Sequence, residues 1–64
     1  MIQINLATAI KINKTKKDFL FYNLDSENKV VDFKLTNDYS RYKKHYQNFR
    51  VLSTLNKTEY ITIK

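Results

Sequence analysis

The sequence contains no cysteine, no glycine, no proline and no tryptophan. Without cysteine there is no disulfide and no thiolate metal centre. The lone histidine, His45, cannot by itself hold a structural metal ion. Without glycine there is no glycine-rich loop to cradle a nucleotide phosphate. Every turn that needs a positive φ must then rely on Asn or Asp. Asn13, Asn28, Asn37 and Asn56 stand where turns are expected. Acids are also scarce, 6 against 12 lysines and arginines, for a formal net charge of +6. No stretch approaches the roughly 18 apolar residues of a membrane span. The opening MIQINLATAIKINK alternates apolar and polar residues, whereas a secretory signal has a continuous apolar run of about 7 or more. These absences predict a cytoplasmic protein with no metal, no cofactor and no membrane partner.

What is present fits a single domain, residues 1–64. A core of this size gives marginal stability, so the remaining sources are a well-packed core or self-association, for instance into a homodimer. The abundance of Lys, Asn, Ile and Tyr has the flavour of an AT-rich genome, such as a low-GC bacterium or its phages and plasmids.

Ile2, Ile4, Leu6, Thr8, Ile10 and Ile12 alternate with polar or small residues. Period two over about 11 residues predicts one long first strand, bent at Ala7-Thr8-Ala9. Asn13–Lys17 reads as a turn. Asp18–Leu24 is apolar on both faces and predicts a central strand. Asp25–Asn28 is a loop of hairpin length, and Lys29–Leu35 alternates again, with Val31, Phe33 and Leu35 on one side. At Thr36 the period changes, and Thr36, Asn37 and Asp38 are N-cap candidates. A helix is expected over Asp38–Phe49, with Tyr39, Tyr42, Tyr46 and Phe49 within roughly an 80° arc. Arg50–Leu55 and Thr58–Lys64 read as two further strands joined by a turn at Asn56-Lys57.

The expected class is α+β: a small five-stranded antiparallel sheet or partly open barrel with one helix, in the order β-β-β-α-β-β. That order resembles the OB-fold, a five-stranded Greek-key barrel with nucleic-acid-contacting loops. An open sheet with one helix packed across it satisfies the same order.

Catalysis has little to stand on. Nucleophilic catalysis needs a base beside Ser, Thr or Cys, and His45 between Lys44 and Tyr46 reads as a surface side chain. The acids are scattered rather than convergent. The expectation is a binding protein with no catalytic residues.

Basic and aromatic residues carry the binding argument. Five tyrosines and four phenylalanines accompany the positive charge. Positive grooves with aromatic rings hold single-stranded nucleic acid, each stacked base contributing about 1–3 kcal/mol. The Lys11, Lys14, Lys16 and Lys17 cluster is expected at a turn, and Arg41, Lys43, Lys44 and Arg50 in or beside the helix. If the order is that of an OB-fold, Tyr22, on the central strand, is the candidate stacking platform. The stripe Tyr39, Tyr42, Tyr46 and Phe49 reads first as the face that packs on the sheet. Without a helix-turn-helix pair, single strands or RNA are favoured over duplex DNA. The alternative is a small phage- or plasmid-encoded inhibitor that binds a host protein through its tyrosines or strand edges.

Overall fold

The computed structural model describes residues 2–55 and 60–63. The chain runs through strand β1 (Ile2–Asn5), helix α1 (Leu6–Lys14), strands β2 (Phe19–Leu24) and β3 (Val30–Thr36), the single helical turn α2 (Tyr39–Tyr42), strand β4 (Asn48–Val51), a 3₁₀ turn (Leu52–Thr54) and strand β5 (Tyr60–Ile63). The five strands form two sheets. β1 and β5 pair in parallel, and β3-β2-β4 form an antiparallel sheet with β2 at its centre. This replaces the expected single antiparallel five-stranded sheet or OB-like barrel. The turn expected at Asn56-Lys57 lies outside the described residues.

The long first strand is corrected to a four-residue strand followed by a nine-residue helix. Alternation at even positions also supplies i, i+4 pairs, Leu6 with Ile10 and Thr8 with Ile12, which share a face on a helix. Three local features favour the helix. Asn5 is an N-cap whose side-chain oxygen accepts the Ala7 N–H at 2.8 Å. Ala7 and Ala9 have high helix propensity. Lys11 and Lys14 sit in the last turn, where the dipole is negative. Ala9 and Ile12 then face the core, while Leu6 and Ile10 point to solvent. Asn5→Ala should cost about 1 kcal/mol by chemical denaturation, the usual value of a lost N-cap.

The β2–β3 hairpin forms as the alternation and the polar loop predict. Asn28 takes φ 63°, supplying the left-handed conformation in a chain without glycine. Asp25 organises the loop: one carboxylate oxygen accepts the N–H groups of Glu27 at 2.8 Å and Lys29 at 3.0 Å. Those bonds, Lys29 first, hold its pKa below the ordinary 3.8. A depressed folded pKa contributes stability above the unfolded value and loses it as pH falls through the folded one. The stability difference between wild type and Asp25→Asn should therefore shrink between about pH 5 and pH 2, a change readable by urea titration.

A register shift between Asn23 and Leu24 pairs Leu24 with Val30. Val30 therefore packs on the core while Val31 is 62% exposed, against the simple alternation. The loop is also tied to β1. The Gln3 N–H donates to the Asn28 carbonyl at 2.8 Å, and Gln3 Nε2 donates to the Glu27 carbonyl at 2.8 Å.

β2 is apolar on both faces because each face is covered. Leu20 and Tyr22 join Ile4, Ala9 and Ile12 in the main core, with Phe33, Leu35 and Leu52 packed around them. Phe21, 1% exposed, is the centre of a second cluster on the opposite face. Its ring centroid lies 5.8 Å from Tyr39, 6.3 Å from Tyr42, 6.1 Å from Tyr46 and 5.8 Å from Phe49.

The expected helix Asp38–Phe49 is corrected to one turn. Asp38 does cap it, accepting the Arg41 N–H at 3.1 Å. The helix stops after Tyr42 because the chain is then drawn into the sheet. The Gln47 N–H donates to Asn23 Oδ1 at 2.9 Å, and Phe49 pairs with Phe21 across β4–β2. The expected strand Arg50–Leu55 gives way to β4 and the 3₁₀ turn, whose Thr54 hydroxyl donates to the Val51 carbonyl at 3.0 Å.

Candidate nucleic-acid interface

Two surfaces collect basic side chains. The first is the aromatic face of the three-stranded sheet. Tyr39 and Tyr42 on α2, Tyr46 in the following loop and Phe49 on β4 meet over Phe21 from three different elements. The tyrosines are half-buried, and Phe49 is 44% exposed. The stripe is therefore both a packing face and an accessible aromatic surface: its inner edges rest on Phe21 and its outer edges meet solvent.

Cations ring this face. Lys34 Nζ lies 5.5 Å and the Arg41 guanidinium 5.6 Å from the Tyr42 ring centroid. Lys43 Nζ lies 6.0 Å from the centroid of Tyr39. Each contact contributes about 0.5–1 kcal/mol at an exposed site, so these side chains are positioned without being buried. Desolvation, then the nearby Asp32 carboxylate and Tyr42, raises the Tyr46 pKa above its ordinary 10.0.

The second surface is a groove of about 440 Å³ at one end of the sheet. Asn13 near the end of α1 and Lys16, Lys17 and Asp18 of the α1–β2 loop form one wall, and Leu52 and Ser53 of the 3₁₀ turn form another. The loop is ordered by local bonds: the Lys17 N–H donates to Thr15 Oγ1 at 3.1 Å. Asp18 is held by its main chain on two sides. Its N–H donates to Asn37 Oδ1 at 2.6 Å, and its carbonyl accepts the Leu52 N–H at 2.8 Å. The Asp18–Asn37 bond links the lysine loop to the segment that opens α2, so the groove and the aromatic face share one end of the sheet.

Not every sequence-derived candidate reaches these two surfaces. Lys16 and Lys17 line the groove, and Arg41 and Lys43 flank the tyrosines. Lys44 is exposed just beyond α2. Lys14 is exposed at the end of α1, and Lys11 lies 6.0 Å from the ring of Phe33 on the α1 side of the sheet. Arg50 is exposed on β4 in register with Leu20, on the strand face opposite to Phe49. Tyr22 is only 6% exposed and packs within the core, so its ring offers no platform to a base. Lys34 was not a sequence candidate. Its signal was available in the hairpin register, which sets it opposite Phe21.

No group of three or more His, Cys, Asp or Glu side chains among the described residues is arranged to hold a metal ion. No helix among them is long and apolar enough to cross a membrane. Comparison with protein-family models, with curated proteins and with solved structures finds no match.

Proposed function

We propose that this chain is a small basic binding module for single-stranded nucleic acid, with no catalytic role. The observation that carries the reading is the accessible aromatic face ringed by Lys34, Arg41 and Lys43. Phosphates meet the cations while one or two bases stack on the outer edges of Phe49 and the tyrosines. The lysine loop extends the positive track to the end of the sheet. Contacts of this kind tolerate many sequences, because every base has a π face and every nucleotide a phosphate.

The test is a fluorescence anisotropy titration of labelled single strands at about 50 mM salt. Saturable binding that Phe49→Ala weakens by about tenfold supports the reading, that being roughly the low end of one stacked base. Absence of binding overturns it.

A second reading, a phage- or plasmid-encoded protein that binds and inhibits a host protein, is favoured by one observation. Leu6 and Ile10 lie one turn apart on α1 and are 49% and 45% exposed. A partner bound there would release on Ile10→Asp, while nucleic-acid binding through the opposite sheet face would not change.

A further inference from the structure

We propose that the groove between the α1–β2 loop and the 3₁₀ turn is a ribonucleotide subsite, in which Lys16 and Lys17 hold a phosphate and Asp18 accepts the ribose hydroxyls. This rests on the nucleic-acid reading and narrows it to RNA.

The groove, at about 440 Å³, falls within the roughly 300–1,000 Å³ of small-ligand sites. Its lining divides by chemistry. Lys16 and Lys17 are exposed cations at the rim. Ile12, Leu52 and Leu55 supply an apolar wall for the flat face of a base. Asn13 and Ser53 are neutral polar groups that pair with base edges.

Asp18 decides what the groove fits. Its main chain is locked to Asn37 and Leu52, which fixes where the carboxylate springs from. Among the described residues the carboxylate itself makes no hydrogen bond and no ion pair with the neighbouring lysines. A carboxylate set beside two cations disfavours a bare phosphate, which it repels. It suits a ligand that carries an anion and hydroxyl donors a few ångströms apart. A ribonucleotide is such a ligand, and an ionised carboxylate is an acceptor matched to ribose hydroxyls. The 2′-hydroxyl is the group that distinguishes RNA from DNA at a single site. A DNA strand would leave the Asp18 acceptor with one hydroxyl fewer.

Two-dimensional amide NMR of the full chain, titrated with adenosine monophosphate and separately with its 2′-deoxy counterpart, tests the subsite. The expected result is saturable shifts at Lys16, Lys17, Asp18 and Ser53. The deoxynucleotide should bind about tenfold more weakly, the equivalent of one hydrogen bond to a charged acceptor. Asp18→Ala keeps the main-chain bonds and should bring the ratio of the two affinities to about one. The wild-type comparison stands alone if that variant does not fold. Equal affinity for the two nucleotides, shifts centred on Tyr42 and Phe49 instead, or an unchanged ratio in Asp18→Ala overturns the subsite. Matched RNA and DNA single strands separate the two proposals. Binding of both without discrimination overturns the subsite and leaves the nucleic-acid reading in place. Binding of neither overturns both.

Discussion

Phe21→Ala is expected to leave the chain largely unfolded at room temperature. Phe21 is 1% exposed and touches five other aromatic rings, those of Phe19, Tyr39, Tyr42, Tyr46 and Phe49. Truncating a buried phenylalanine to alanine costs about 3–5 kcal/mol, part transfer energy and part cavity. Below about 70–80 residues a hydrophobic core rarely supplies more than about 3–5 kcal/mol of net stability. The two quantities are of equal size, so one substitution is enough. The loss should also be structural, because Tyr46, in the segment between α2 and β4, rests on the Phe21 ring. Circular dichroism during urea titration measures it. Phe21→Leu, which fills most of the volume, should retain a cooperative transition at a lower midpoint. A loss below about 1 kcal/mol for Phe21→Ala would mean that the tyrosines are held by something other than this ring.

Replacing Lys16, Lys17, Arg41 and Lys43 together by glutamine should weaken single-strand binding by two to three orders of magnitude at about 0.1 M salt. Each phosphate neutralised on a single strand contributes about 0.7 to the slope of log K against log salt, because it releases counterions. Four contacts give a slope change of roughly 3 and, at about 0.1 M salt, an affinity change of roughly the same number of decades. The four side chains are exposed, and the fold uses only the main-chain atoms of Lys17, Arg41 and Lys43 in its hydrogen bonds. Stability should consequently stay within about 2 kcal/mol of wild type, the margin of the two lost cation–ring contacts. Anisotropy titration and thermal melting of the same preparation separate the two effects. Unchanged affinity would move the interface away from both surfaces.

The parts of the fold legible in the sequence are those specified locally. The β2–β3 hairpin is announced by a strand apolar on both faces, by alternation on the next strand and by Asp25 and Asn28 in the loop between them. α1 is not legible, because period-two alternation reads as a strand; on the helix it leaves Leu6 and Ile10 exposed while Ala9 and Ile12 are buried. The Asn5 cap, the alanines and the lysines of the last turn favour the helix. The length of the second helix was misread for a related reason. Tyr39, Tyr42, Tyr46 and Phe49 keep helical spacing, yet all four pack on one ring, and a turn, a loop and a strand deliver them as well as a long helix does. The parallel β1–β5 pairing joins the two ends of the chain and leaves no local trace. In the candidate site, the lysine loop and the basic residues around α2 were visible as charge runs. Which aromatic ring of a strand apolar on both faces meets solvent is a tertiary fact. Tyr22 therefore reads as accessible from sequence, Phe49 reads first as part of a packing face, and Lys34 is not among the candidates.

We propose that a positive, aromatic surface of this chain binds single strands through their phosphates and bases. The most direct measurement is the affinity of the full chain for a labelled single-stranded RNA as a function of salt, from about 50 to 300 mM. Binding of this kind predicts a linear log–log dependence with a slope of about −2 to −3.5, from three to five phosphate contacts. It also predicts residual affinity at high salt that Phe49→Ala removes. No binding at the lowest salt, or binding whose slope is flat, contradicts it.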